Sequence, residues 1–250
     1  VNDAKPLCID LFCGLGGWSE AFIAEGYECR GYDIEAHEYG EQKYPGTLIL
    51  RDVRSIHGSE FADAAIIVAS PPCQAYSYRA MPWSRAKALP PPDNTLFNEC
   101  FRIQREASEA AGRYIPMVVE NVRGAQKWVG PSKYNYGSFH LWGDIPALMP
   151  VPAKVTKSRH GSCKRLPGAK GGRISGWPHI VENEGIKQSG IGGPRQNGKG
   201  DAWFQNGAAA HGSKSLQRKA ASAMIAKIPY PLAQHIARTY YPRPRLVEAG

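Results

Sequence analysis

Three stretches of this chain place reactive side chains at abrupt ends of apolar runs. In Ala65-Ile66-Ile67-Val68-Ala69-Ser70-Pro71-Pro72-Cys73-Gln74 a continuous, β-branched run stops at two prolines and hands over to a cysteine. Proline has no N–H for a ladder, so Pro71 and Pro72 end the strand and fix the direction of the next residue. A thiol held just past the carboxyl end of a buried strand lies where open α/β sheets bind ligands. Its thiolate would be a nucleophile; a free cysteine is as often a small buried hydrophobe, although Gln74 and Ser77 suit a packed core poorly. Residues 115–119 end similarly, at Glu120-Asn121-Val122, where the carboxyl could work as an acid or only cap or pair at the surface. Residues 7–12 run into Cys13-Gly14-Leu15-Gly16-Gly17, whose glycines let the backbone approach a ligand.

These groups need elements to position them. Continuous rather than alternating apolarity at 65–69 suits a strand covered on both faces, as in a parallel sheet. A helical pattern over 18–25 comes after the glycine turn and stops at Gly26. Residues 27–32 form a second strand candidate ending at Asp33, where an acid would grip a ribose. Asp33 could equally cap a helix over 36–43, and Glu35 competes for the ribose role. A third strand, 47–50, leads to Asp52-Val53, with a turn aspartate as the plain alternative for Asp52. A helix is predicted over 98–113, and a helical pattern over 215–237 is interrupted by Pro229-Tyr230-Pro231. Five strands thus end in Phe12, Asp33, Asp52, Cys73 and Glu120 on one edge of a parallel sheet.

The 250 residues suffice for one sizeable core, and 42% hydrophobic with 21% charged residues is a globular balance. No leader pattern or membrane-length apolar run is seen. The six cysteines are scattered without a C-x-x-C pair, which argues against a zinc site or disulfide framework and for a reducing cytoplasm. A net charge of +9 points to a polyanionic partner. Lys154, Lys157, Arg159, Lys164, Arg165, Lys170, Arg173, Lys187, Arg195 and Lys199 crowd one stretch, where the only acids are Glu182 and Glu184.

Taken in order, Asp10-Leu11-Phe12-Cys13-Gly14-x-Gly16-Gly17, Pro72-Cys73-Gln74 with Ser77, and Glu120-Asn121-Val122 resemble the motifs of the cytosine-C5 DNA methyltransferase family. The resemblance implies a Rossmann-like S-adenosylmethionine-dependent methyltransferase fold: a mostly parallel sheet with helices on both faces and a small irregular target-recognition lobe. It implies Cys73 as nucleophile, with Gln74, Glu120 and Asn121 beside it. Asp10, Phe12, Cys13, Gly14, Leu15, Gly16 and Gly17 would hold the methionine part of S-adenosylmethionine. Asp33 would take the ribose and Ile34 the adenine face, Asp52 with Val53 the adenine amino group, and Pro72 and Leu96 would complete the pocket. Ser77, Arg79, Arg123, Arg159 and Arg165 are the implied DNA contacts. Met81 and Trp83 could wedge between bases.

The implied organisation is a catalytic and cofactor-binding domain over 1–150, a basic target-recognition region over 151–212, and a segment over 213–250 that returns to the catalytic domain. Double-stranded DNA is the expected partner, with no metal and no membrane, for a monomer in a bacterial or phage-infected cell. Two features depart from the family. Residues 134–143 lack its Q-x-R-x-R, leaving Tyr136, Ser138, Arg123 or Arg159 to contact the target base. Ile225-Ala226-Lys227 replaces Gly-Asn-x before Ile228-Pro229-Tyr230-Pro231-Leu232-Ala233, and Lys227 there could favour an anionic substituent on the sulfonium. An RNA (tRNA) cytosine-5 methyltransferase and a catalytically inactive DNA-binding relative are the alternatives.

Overall fold

The computed structural model describes residues 4–76, 90–151, 219–220, 223–224 and 226–242. Its elements are β1 (Leu7–Leu11), α1 (Gly17–Ala24), β2 (Glu28–Asp33), β3 (Thr47–Leu50), β4 (Ala64–Ala69), α2 (Thr95–Ala111), β5 (Met117–Val122), α3 (Gln126–Val129), β6 (Tyr134–Tyr136), β7 (Phe139–Gly143) and α4 (Tyr230–Tyr240). The strands form one seven-stranded sheet in the order β3-β2-β1-β4-β5-β7-β6. β1 to β5 are mutually parallel, and β7 runs antiparallel to both β5 and β6.

Alternation along the strands divides the core between two helix layers. Ile9, Leu11, Ile67, Ala69 and Val119 face α2, whose Phe97, Cys100, Ile103 and Ala107 are buried against them. Cys8, Ile66, Val68 and Val118 face α1 and α4 through Trp18, Phe22, Leu232 and Ile236. β4 has no solvated face, which is why its sequence is continuously apolar. Ile66 and Ile67 are wholly buried, each contributing about 1.5–3 kcal/mol.

Three expectations change. The fifth strand extends through Val122, so Glu120, Asn121 and Val122 lie inside it. β4 pairs with β5 only as far as Val119, but Val118–Val122 pairs with Phe139–Gly143 of β7, and that second ladder keeps 120–122 extended. No helix forms over 36–43; Tyr39 and Gln42 make an isolated bridge around Gly40, at φ 63°. The local periodicity loses there because Tyr44 is drawn into the core, 6% exposed. The interruption expected at 229–231 is present: residues 219–220, 223–224 and 226 are helical, 227–229 are not, and α4 begins at Tyr230 with Pro231 in its first turn, where its missing N–H costs nothing. The helix predicted over 98–113 begins earlier, at Thr95, whose N–H and hydroxyl both donate to Asp93. It ends at Gly112, at φ 63°.

Candidate active site

β1 stops at Leu11 because Phe12 turns into the left-handed region at φ 57°, the one non-glycine to do so among the described residues. A bulky side chain held there stores on the order of 1–3 kcal/mol, and such strain collects at ligand sites. Gly14 and Gly16 come next at φ 50° and 74°, and α1 begins at Gly17. A Cβ on Gly14 would meet nothing, whereas one on Gly17 would overlap the Ile228 backbone and lie 2.9 Å from Lys227 Cγ. The loop is thus open on one side and closed by the C-terminal segment on the other. Lys227 pairs with Glu20 there, so its charge is already met by an acid of α1.

Asp33, at the tip of β2, accepts from Gly14 N (3.0 Å) through one oxygen and from Ile34 N (2.8 Å) through the other. Burial pushes its pKa up, but the pairing with His37 at 3.7 Å and the hydrogen bonds from Gly14 and Ile34 outweigh burial and hold it below the ordinary carboxylate value. Beside it Ile34 is 75% exposed, and Leu50, the register partner of Asp33 on β3, is 58% exposed. Glu35 has no such tie to the loop; its carboxylate lies 4.0 Å from His37. Asp10 is buried under the glycines, and burial above all, with Asp33 adding, pushes it up to about 8 against the Ser19 hydrogen bond. Ser19 Oγ donates to Asp10 Oδ2 at 2.6 Å, while Oδ1 has no partner.

Two exposed apolar side chains beside an ionised carboxylate, and a buried acid oxygen lacking a donor, suit a nucleoside with a cationic tail. S-adenosylmethionine fits that description. Asp52 is committed elsewhere: it caps the turn Val53–Ser55 and pairs with Arg54 at 2.6 Å. The Val53 side chain belongs to the core, as do Cys13 and Leu15.

On the other half of the edge, the turn that carries Cys73 is clamped at three points. Ser70 N donates to Leu11 O (3.1 Å), and Ser70 Oγ accepts from Trp18 Nε1 (3.1 Å). Asn121, fully buried on β5, donates through Nδ2 to Pro71 O at 2.9 Å. Tyr76 OH donates to Asn94 Oδ1 at 2.8 Å, tying the turn to the start of α2. Gly124 lies so close to Tyr76 O that any side chain there would overlap it. Cys73 itself is half-buried, and Gln74–Tyr76 makes a single 3-10 turn.

Glu120 is 3% exposed. By alternation it and Ser70 point to the α1 side, one step beyond the last β4–β5 pair, Ala69–Val119. Arg123 begins the turn after β5. Pro72, Gln74 and Leu96 come together with Pro71, Tyr76, Asp93 and Phe97 around a cleft of about 270 Å³. That is below the roughly 300–1,000 Å³ usual for a small-molecule pocket, so it forms one wall of a site. A larger, shallow hollow of about 520 Å³ between α2 and Trp142 contains none of the predicted site residues.

The carboxyl edge therefore gathers Phe12, the glycine loop, Asp33, Ile34, Cys73, Gln74 and Glu120. Ser77, Arg79, Arg159 and Arg165 lie outside the described residues, as does all of the expected 151–212 region except Val151. Sequence reasoning missed Trp18, Ser19, Tyr44 and Asn94. A serine inside an apolar helix face was the one available signal among these. Among the described residues no cluster of His, Cys, Asp and Glu could hold a metal, and no helix is long and apolar enough to cross a membrane.

The strand order, with its single reversed strand, defines a Rossmann-like methyltransferase fold. Residues 7–128 match the model of the C-5 cytosine-specific DNA methylase family. A match to the type II methyltransferase M.HhaI of Haemophilus parahaemolyticus is 34% identical over 101 residues, which is 39% of this chain and 29% of that protein. An E. coli prophage protein assigned as a DNA modification methyltransferase aligns at 21% identity over 50% of this chain and 34% of its own, with a TM-score of 0.35. A Spodoptera frugiperda DNMT2 variant aligns at 18% identity over 49% and 37%, with a TM-score of 0.33. The chain thus spans about a third of the length of these proteins.

Proposed function

We propose that this chain transfers a methyl group from S-adenosylmethionine to C5 of cytosine in duplex DNA, with the target base flipped out of the stack and held covalently by Cys73. The observation that carries this reading is the shared edge. The clamped Cys73 turn and buried Glu120 stand on the same side of the sheet as the glycine loop and Asp33.

S-adenosylmethionine, when bound, supplies an electrophilic methyl group on a sulfonium. Asp33 and Ile34 hold its nucleoside, and the loop 12–17 with Asp10 its amino-acid tail. C5 of cytosine is a poor nucleophile until the Cys73 thiolate adds at C6, which splits one hard step into easier ones. Glu120 holds and protonates N3, stabilising charge as the adduct forms. Asn121 keeps Pro71, and with it Cys73, in place. Once C5 carries the methyl group, a solvent base takes its proton, the C5–C6 double bond re-forms as the bond to sulfur breaks, the Cys73 thiolate leaves, and N3 returns its proton to Glu120. Extruding the base costs a few kcal/mol, offset by contacts from Ser77, Arg79, Arg123, Arg159 and Arg165. The 151–212 region serves as the target-recognition lobe, and the segment from 213 completes the cofactor site.

Methyl incorporation from labelled S-adenosylmethionine tests this directly. Duplex DNA should be labelled and tRNA should not; the reverse result selects an RNA methyltransferase. Cys73→Ser should lose turnover by several orders of magnitude yet bind the cofactor as before. Duplexes containing 5-fluorocytosine should form a denaturation-resistant adduct at Cys73, since fluorine cannot leave as a proton does. Retained turnover in Cys73→Ser would exclude the nucleophile.

A further inference from the structure

Tyr44 occupies a slot made by the missing side chains of three glycines. A Cβ on Gly31 of β2 would overlap its ring, with Cε2 2.7 Å away; one on Gly16 of the cofactor loop would lie 3.0 Å from Cδ2; and one on Gly46, just before β3, 3.1 Å from Cε1. The ring therefore lies between β2 and the underside of the loop, where no larger arrangement fits. Its hydroxyl reaches Ser19 Oγ at 2.7 Å. With Asp10 ionised, the one proton of Ser19 is given to Asp10 Oδ2 at 2.6 Å, and Tyr44 is then the donor to Ser19. In that state every proton of this buried chain points toward Asp10.

From this geometry we propose that Tyr44 is a positioning residue for S-adenosylmethionine: it acts through Ser19 to orient the Asp10 carboxyl and through Gly16 to hold the loop. The assignment rests on the functional reading above. The relay presents Asp10 Oδ1, which has no donor of its own, to the cationic end of the cofactor. Asp10 is surrounded by Asp33 at the tip of β2, Cys8 on β1, Cys13 in the loop, and Tyr44. No cation is among these groups. Burial and Asp33 together push Asp10 up to about 8, so a positively charged ligand selects the ionised form and binding releases a proton below that pH. Hydrogen bonds to a carboxylate favour its charged form, so breaking the relay raises the pH at which binding becomes tight.

Calorimetric titration of S-adenosylmethionine into the parent chain, Tyr44→Phe and Ser19→Ala, from pH 6.5 to 9, tests this. The phenylalanine keeps the ring and its packing, so its melting temperature should remain near the parent's. Its affinity should fall about tenfold at pH 7, the scale of one hydrogen bond to a charged group, and its affinity midpoint should move to higher pH. Ser19→Ala should do the same, and the double variant should lose no more than the larger single effect. Parent-like affinity and midpoint in Tyr44→Phe, or additive losses in the double variant, overturn the assignment and leave the functional reading standing. A parent chain that binds no S-adenosylmethionine overturns both.

Discussion

The two halves of the sheet edge are built by different means. Between β1 and β3 the loop is fixed from beneath, by a buried chain from Tyr44 to Asp10, by Asp33 on a backbone N–H, and by glycines into which other side chains intrude. Between β4 and β7 the turn is fixed from the side, by Trp18, Asn121 and Tyr76 each holding one point while Cys73 stays half-buried. In the first half Asp10 is buried and Asp33 half-buried at the loop, while the half-buried Glu20 and Asp52 are paired with Lys227 and Arg54. In the second, Glu120 is buried at the edge, with Arg123 and Lys127 after it along the chain. A preformed acidic cradle suits one small cation used in every cycle. A clamped root with an accessible thiol suits a large polyanion that must come and go. If the division is real, damage to one half should leave the chemistry of the other intact.

The largest expected effect lies in the second half. Glu120→Gln keeps size and hydrogen-bonding atoms but removes the acid, and turnover should fall by roughly 10²–10⁴-fold, the usual reach of general acid–base catalysis. S-adenosylmethionine affinity, measured by calorimetry, should stay within about twofold of the parent, well below the tenfold that 1.4 kcal/mol would produce. A matching loss of affinity would mean that the halves are one site without internal division.

Legibility in the sequence cuts across that division. The glycine turn, the strand tips and the Pro-Pro-Cys exit are local devices, readable because glycine and proline have backbone consequences wherever they occur. The Asp52 turn was legible too, as the plain cap that Asp52 forms. Nothing local announced that β5 continues through Glu120, because β7, seventeen or more residues downstream, supplies the pairing. The same holds for Tyr44, whose contacts are with glycines in three separate segments, and for Asn94 under Tyr76. The helix expected over 36–43 failed for that reason: a residue needed by a distant slot overrode the periodicity of its own neighbourhood. Local chemistry placed the groups; long-range packing decided how they are held.

Gly17→Ala probes the first half at the point where the C-terminal segment closes it. The added methyl would overlap the Ile228 backbone and press on Lys227 Cγ at 2.9 Å, and neither can yield without shifting the start of α4. Overpacking of this kind costs about 1–3 kcal/mol. S-adenosylmethionine binding should weaken roughly ten- to hundredfold together with a lower melting temperature. Adduct formation at Cys73 with 5-fluorocytosine duplexes, read at saturating cofactor, should still occur. Adduct loss under those conditions would argue that the C-terminal segment serves both halves.

The smallest effect tests whether Asp33 is tuned by its neighbour. His37 Nε2 lies 3.7 Å from Asp33 Oδ1, with both side chains largely covered. The pairing with Asp33, working against burial, holds His37 above its ordinary value, while Asp33 sits below its own. A raised histidine contributes stability that is complete below the unfolded value of about 6.5 and is lost as pH rises through the folded one; the lowered aspartate contributes above about 3.9 and fails only in acid. The pair therefore acts between those limits. His37→Asn should lower stability by about 0.5 kcal/mol at pH 6, a melting shift of roughly 1–2 °C, and by much less at pH 8.5. Cofactor affinity should change less at the higher pH, where the histidine carries less of its charge. An equal melting shift at both pH values would show that His37 contributes packing rather than charge, and that the backbone N–H groups of Gly14 and Ile34 alone keep Asp33 ionised.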